Sequence, residues 1–300
     1  MTPFLSGFMI TLLFVGGVYF VAVLERCSMT GNVSWSGPAR SFLLLFAQEE
    51  IKTRKHDKVF FETAPVLFIG VILLTISILP FGRGSVIIDL GTGALFINAA
   101  LVYIMVSLLM AGWAVNGVYA MVGGWRALAQ LIAYSMPVVM ALTATVMRAE
   151  SMFLTDIVES QQSLWNILYQ PVGFILFYIS ALAIAFLPPF DLPVAEGELA
   201  GGVWADLTGA RKLLFRLGRL ALVLTLSVAV VVLYLGGWMG PWLPGFVWTF
   251  LKTLLVAASF FAVGHFMPRI RHDHLLEYNW KYGVPLALYN IFQVGVVLLL

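Results

Sequence analysis

One cysteine in 300 residues, Cys27, excludes an internal disulfide and leaves no thiolate set for an iron–sulfur cluster or a zinc site. The four histidines, His56, His265, His272 and His274, offer no metal spacing either. His56 and Asp57 are adjacent, with no second ligand one helical turn on. No glycine-rich phosphate loop follows a strand, and neither an HExxH nor a catalytic triad is present. Charge is scarce too, at 11% of residues, against about 25% in a soluble domain. The net charge of +2 is too small for a nucleic-acid partner. Alone, the chain is expected to catalyse nothing, to bind no cofactor or metal and to hold no redox centre.

What it has is apolar length. Hydrophobic residues make up 61% of the chain, and runs of the ~20 residues needed to span a bilayer recur throughout. The short alternating segments of a barrel are missing. The expected fold is all-α: a polytopic membrane protein, 1–300 as a single transmembrane domain, with about eight spans. They are placed at Pro3–Leu24, Val59–Phe81, Ala94–Val115, Arg126–Met147, Leu168–Leu187, Leu214–Leu235, Phe246–Met267 and Tyr282–Leu300. The first run lacks a basic leading region and a small-residue cleavage site, so it reads as a retained helix. Gly123-Gly124 is read as a tight link, and Asp156 to Gln162 as a polar loop.

Lys and Arg orient these spans. Fourteen of the seventeen, including Lys52 and Arg54, fall in alternate loops, and Arg83, Arg148 and Lys252 fall on the other side. The positive-inside rule then places both termini on the outer side. The inner face also carries eleven of the fifteen carboxylates. Anionic headgroups account for basic residues but not for acidic ones, which points to a protein partner or a charged cavity.

The most concentrated acid lies in Leu187–Leu213, LPPFDLPVAEGELAGGVWADLTGARKL, with Asp191, Glu196, Glu198 and Asp206. Three prolines stop the preceding helix, and Asp191 is placed to cap the amides that follow. Glu196 and Glu198 point about 200° apart in a helix and share a face in a strand. Carboxylates crowded at a low-dielectric boundary are expected to have raised, coupled pKa values, which suits a proton path. The plain alternative is a solvated loop paired with Arg211 and Lys212. Elsewhere on this face, Glu25-Arg26 is a charged pair at a helix exit, and Gly37-Pro38 is a turn. Phe42–Ile51 is read either as a short interfacial helix or, as composition favours, as part of an ordinary basic interfacial loop. Arg126, Gln130 and Tyr134, four residues apart, form one polar stripe, serving either a solvent path or a helix–helix hydrogen bond. The loop with Arg269, Arg271, Asp273 and Glu277 alternates in charge, as a docking surface or a snorkelling helix end does.

Together these loops resemble the proximal, H-type membrane subunit of respiratory complex I and its relatives in membrane-bound nickel–iron hydrogenases. Glu25-Arg26, Gly37-Pro38 and Arg40 resemble that family's ER…GPNR segment. Gly112-Trp113, Asn116, Tyr119-Ala120, Arg126, Ala129-Gln130 and Tyr134 resemble its GWxxNxxYAxxGxxRxxAQxISYE. Pro189 to Pro193, Ala195-Glu196 and Glu198-Leu199 reproduce PFDLPxAExEL. The resemblance covers nearly the whole chain, and the last motif is highly specific.

The resemblance implies a membrane-arm subunit of a complex I-like oxidoreductase, an enzyme only within that assembly. Such a subunit docks the iron–sulfur peripheral arm, helps form the quinone-side chamber and couples electron transfer to proton translocation. Glu196, Glu198, Asp206 and Asp191 are the implied coupling residues. Glu25, Arg26, Arg40, Arg126 and Gln130 are implied at the chamber and inner face, and Arg269, Arg271 and Asp273 at the docking loop. Implied partners are antiporter-like and other membrane-arm subunits, iron–sulfur peripheral-arm subunits that hold the clusters, and the bilayer. The implied interface ligand is a quinone or another acceptor, none being bound by this chain itself, and the implied location is a bacterial or archaeal inner membrane or an organellar energy-transducing one. The chain departs from the family where Ser135, Ile184, Val194 and Arg219 replace glutamates or another acid, and where Leu187 replaces an arginine. These departures define the alternatives: a divergent structural anchor that has lost quinone binding and the usual proton path, or a hydrogenase-type relative.

Overall fold

The computed structural model describes the backbone of residues 3–299 apart from 52 and 54, and the side chains of these apart from 3–6, 8 and 196. The helices are α1 (Pro3–Thr30), α2 (Ser36–Ala47), α3 (Lys58–Ile78), α4 (Gly93–Ala114), α5 (Val118–Ala149), α6 (Leu154–Glu159), α7 (Asn166–Tyr169), α8 (Pro171–Ile184), α9 (Glu196–Leu199), α10 (Gly209–Tyr234), α11 (Gly245–Phe266), α12 (His272–Tyr278) and α13 (Val284–Leu299). A π-helical turn, Asn279–Gly283, makes α12 and α13 one continuous rod. Among the described residues the only extended pairing is an isolated bridge between Gly82 and Ser85.

Seven of these helices, counting 272–299 as one, are long and apolar enough to cross a membrane. The protein is thus an all-α polytopic membrane protein, as its composition requires. The remaining predicted span is α8, whose 14 residues reach about 21 Å, short of the ~30 Å hydrocarbon core. Pro171 opens it, and Phe186 closes it with a left-handed backbone, φ 53°.

Main-chain hydrogen bonds between loops sort the helix ends into two groups. At one end the amide of Asp57 donates to Ala114 (2.9 Å) and that of Ile270 to Pro189 (3.2 Å). At the other, the amide of Ala94 donates to Met152 (3.2 Å), and the Thr249 hydroxyl donates to Phe81 (2.8 Å). The loops assigned to one side from their charge therefore do meet at one end. Lys52 and Arg54, part of that count, lie outside the described residues. α10 runs through the middle of the bundle, buried continuously from Leu222 to Tyr234.

Three local expectations are corrected. Helix four starts at Val118, two turns before Arg126, so Gly123-Gly124 lies inside α5 and is not a link. The first basic loop does hold a helix, at Ser36–Ala47 and not at Phe42–Ile51. Gly37-Pro38 sits in its first turn, where proline has no amide partner to lose. The polar loop after α5 is mostly α6 and a 3-10 turn, Ser160–Gln162. Its Gln161 is fully buried: the side-chain amide donates to Ile157 (3.1 Å) and Val232 (2.9 Å) and accepts from Asn166 and Gly236.

The same far end holds Lys252. Its ammonium donates to the carbonyls of Leu235 (2.7 Å), Gly237 (3.1 Å) and Met239 (2.8 Å). It also lies 4.5 Å from the Trp165 ring centre. Three donors meet three acceptors, so the cation is held without a carboxylate.

Candidate functional site

At the charged end, residues 185–208 connect α8 to α10 and fold over the start of α5. The amides of Val194 and Ala195 bond to the main-chain carbonyl of Asp191 (3.2 and 2.9 Å). The Asp191 carboxylate does not cap them, contrary to expectation. It takes both Nε (2.7 Å) and Nη2 of Arg269. A two-pronged guanidinium is a better partner for a carboxylate than a neutral amide. The next turn, Glu196–Leu199, is helical and not extended. The Glu196 side chain lies outside the described residues.

Glu198 accepts a 2.7 Å hydrogen bond from Arg126 Nη1, joining the loop to α5. Its carboxyl is held below the ordinary carboxylate range. The hydrogen bond from Arg126 is the main cause, opposed by slight burial and assisted by the charges of Arg126, Arg269 and His272. The expected raised, coupled carboxyl pKa is therefore reversed for this residue, because a cation lies nearer to it than any described carboxylate. Arg211 turns away from the loop and pairs with Glu50, so the Arg211 pairing proposed for a plain acidic loop is absent. Thr208 at the start of α10 accepts from the Ile51 amide (2.8 Å), tying the same corner together.

Glycine positions this loop. A Cβ on Gly123 would stand 2.7 Å from both the Pro193 oxygen and the Val203 nitrogen. Gly202, at φ +54°, would bring one within 2.0 Å of the same oxygen. A Cβ on Gly117 would meet Asp206 Oδ2 at 2.2 Å. Asp206, half-buried, thus lies against the N-terminus of α5, where the helix dipole favours a carboxylate.

Glu25 and Arg26 part company, since neighbours on a helix point in different directions. Glu25 on α1 pairs with Arg219 on α10 at 2.6 Å, their side chains 11% and 13% exposed. Arg219 also lies 5.4 Å from the ring centre of Trp204 in the loop. Arg26 spreads over Gly37, whose added Cβ would stand 2.4 Å from the guanidinium carbon. It reaches Ser41 Oγ at 3.4 Å. Arg40 is exposed on α2. Arg271 and Asp273 lie 3.6 Å apart with side chains 75% and 60% exposed, a surface pair that adds little to stability.

In the polar stripe, Gln130 forms the helix–helix hydrogen bond. Its amide nitrogen donates to Ala183 (2.7 Å) on α8 and to Phe190 (3.0 Å) in the loop. Tyr134, one turn deeper, is buried, and its hydroxyl has no partner. Ile184, Leu187 and Val194, which stand where the resembled family has charge, are all buried in the apolar core. The Glu25 partner of Arg219, the Trp204 contact and the glycine seat went unanticipated. No local spacing links residues 194 positions apart, although an arginine in an apolar helix does signal that a partner exists.

The lowered Glu198 carboxyl gives a pH prediction. A depressed pKa means that the pair with Arg126 stabilises the loop above the ordinary carboxylate range. That contribution is lost as pH falls through the lowered value. Arg126→Leu is expected to return the Glu198 carboxyl to its ordinary range, read by infrared titration of carboxyl-labelled glutamate against a Glu198→Gln blank. Identical titration in wild type and variant would contradict the pairing.

The fold and this end define a class: an α-helical polytopic membrane protein whose distinctive surface is a face of paired charges. No metal-ligand cluster occurs among the described residues. The family model described as NADH dehydrogenase matches residues 27–295, and the chain belongs to that family. It is 38% identical over 272 residues to the NADH-quinone oxidoreductase H-type subunit 1 of Geobacter metallireducens, covering 88% of this chain and 83% of the relative. The H-type subunit 2 of the Geobacter sulfurreducens oxidoreductase is 38% identical over 271 residues, covering 87% and 82%. The H-type subunit from Syntrophotalea carbinolica is 37% identical over 284 residues, covering 90% and 86%.

Proposed function

We propose that this chain is the membrane-arm subunit of a bacterial NADH-quinone oxidoreductase. Its charged end faces the cytoplasm and docks the iron–sulfur peripheral arm. There it helps form the quinone-side chamber and couples electron transfer to proton translocation, beside antiporter-like subunits. The clusters belong to those partner subunits, and quinone is the substrate met at the interface. The names of the relatives supply the reaction class. The observation that carries the coupling role is the Arg126–Glu198 pair, which ties the acidic loop to a membrane helix.

Two features fit a quinone. An apolar groove of about 280 Å³ lies between α1, α3 and α10, lined by Phe14, Val18, Ile69 and Gly218, beside Arg219 in sequence. It suits an isoprenoid tail. The Trp204 indole N–H is buried without a partner, and Trp204 lines a second cavity of about 350 Å³ with Lys212. A buried donor there suits a carbonyl oxygen.

The coupling step follows from electrostatics. While Arg126 holds Glu198, the carboxylate stays ionised. A redox event that draws Arg126 away returns the carboxyl to its ordinary range, and proton uptake near neutral pH follows when the freed side chain moves from its half-exposed position into a desolvated contact, which raises its pKa. The structural-anchor reading is favoured by the burial of Ile184, Leu187 and Val194 in apolar surroundings, which removes deeper proton sites. One experiment separates the readings. In the assembled complex, Glu196→Gln with Glu198→Gln is expected to abolish proton-coupled quinone reduction. NADH oxidation by an artificial acceptor at the peripheral arm remains. Full coupled activity in the double variant supports the anchor and rejects the coupling role.

A further inference from the structure

A cavity of about 330 Å³ lies between α5, α8 and the 272–299 rod, with Phe190 of the acidic loop in its wall and no lining residue shared with the two cavities assigned to quinone. Its lining is apolar apart from a few groups, and its size is at the lower end for a small-molecule site. Three observations mark it as a ligand site. Tyr134 lines it, is only 3% exposed, and has a hydroxyl shut off from solvent without a hydrogen-bond partner. A buried phenol in that state is completed by an acceptor. The Ser180 hydroxyl in the same wall, which donates to Leu176 of its own helix (2.7 Å), is not within hydrogen-bond reach of the phenol.

The second observation is backbone distortion. The wall across from α8 includes Asn279 and Gly283 of the π-helical turn, a rare form that is frequent at functional sites. Asn279 is held in place by donating to the Ala133 carbonyl, next to Tyr134. The third is the mouth. Ile175, Tyr278, Tyr282 and Leu286 line the cavity and are 45–57% exposed on the flank of the helical bundle. Tyr278 and Tyr282 stack with centroids 6.2 Å apart, and Lys281, exposed beside them, lies 5.6 Å from the Tyr282 ring centre. Paired tyrosines with a lysine are the composition of a membrane interface facing anionic headgroups.

We infer that this cavity binds one membrane phospholipid. An acyl chain fills the apolar space, the Tyr134 hydroxyl turns into the cavity to donate to an ester carbonyl, and the anionic phosphate lies near Lys281. The chemistry required is an apolar chain carrying both a carbonyl and a negative head. A phospholipid supplies all three, and a quinone lacks the negative head.

The test uses the complete complex in nanodiscs of phosphatidylethanolamine and phosphatidylglycerol, with phosphatidylglycerol carrying a photoreactive acyl chain as the probe. Crosslinks are expected in the peptides containing Ile175–Ser180 and Tyr278–Leu286. Tyr134→Phe, which keeps the ring and the fold, is expected to cut them by about three- to tenfold, the worth of one hydrogen bond. Ser180→Leu, which fills the cavity, is expected to remove them. Equal labelling in wild type and Tyr134→Phe overturns the assignment. So does a quinone recovered from these peptides, or another protein of the complex crosslinked across the mouth in place of lipid.

Discussion

Arg219→Leu alone is expected to destabilise the fold by about 3–5 kcal/mol, the cost of leaving a buried charge without its partner. The reason is the position of Glu25. Its carboxylate lies 2.6 Å from the guanidinium, and both side chains are nearly enclosed between α1 and α10. Removing the arginine strands an anion in a low-dielectric contact; removing the glutamate strands a cation. Removing both, as Glu25→Met with Arg219→Leu, leaves two apolar chains of similar length in an apolar contact. It is expected to recover most of the loss, since replacing a buried pair by hydrophobic residues is often neutral or stabilising. Thermal unfolding of the four proteins in one detergent reads the cycle. Single and double variants that fall by the same amount would place the worth of Arg219 in its contact with Trp204 and not in the pair. The pair also bears on function. Arg219 occupies a position where the resembled family has a glutamate, and here it neutralises the carboxylate of α1. The buried charge at this end is thus balanced, and the half-exposed Glu198 is left as the carboxylate that ties the acidic loop to α5 and is more easily freed than Glu25.

Seven of the eight expected spans, their approximate positions and the gathering of charge at one end were legible in the sequence, because they follow from run length and from where Lys and Arg fall. What runs deepest in the bundle was not. The most apolar 18-residue stretches of α3 and α10 are about equally apolar, yet 39% of the first and 83% of the second is buried within the protein. Lipid and protein core are both hydrocarbon, so hydropathy cannot tell a helix facing one from a helix facing the other. The site divides the same way. Arg126, Gln130 and Tyr134 were placed on one face by helical spacing, and the structure bears out that alignment. Their partners were not visible. Gln130 reaches carbonyls on α8 and the loop, and Arg126 reaches an acid 72 positions away. Gln161 reads as loop material by polarity, yet it is fully buried because it supplies hydrogen bonds to the ends of other segments. Gly123-Gly124 misleads for a related reason. Glycine marks a turn where the chain needs a left-handed backbone and a close approach where another chain segment must touch the helix. The sequence alone does not distinguish these.

That close approach yields the second large effect. Gly123→Val is expected to remove proton-coupled quinone reduction while the protein still inserts and accumulates. A Cβ at 123 would stand 2.7 Å from two backbone atoms of the loop, the Pro193 oxygen and the Val203 nitrogen. Backbone on both sides leaves no flexible side chain to swing aside, so the loop itself must lift. Pro193 and Val203 are hydrogen-bonded to each other (3.2 Å), so both limbs of the loop would move together and carry Glu198 away from Arg126. Gly202→Ala attacks the same contact from the loop side. It adds left-handed strain at φ +54° to a 2.0 Å approach, and such a residue is disfavoured there whatever the space. Gly197→Ala is the control, because no atom lies within 4 Å of its added Cβ, and alanine suits the helical turn better than glycine. Limited proteolysis of the loop and the coupled assay should therefore change together in Gly123→Val and Gly202→Ala, and neither should change in Gly197→Ala. If Gly123→Val exposes the loop to protease while coupled turnover stays at the wild-type rate, the position of residues 185–208 on α5 is not what couples the reaction. The coupling role assigned to Glu198 through Arg126 falls with it.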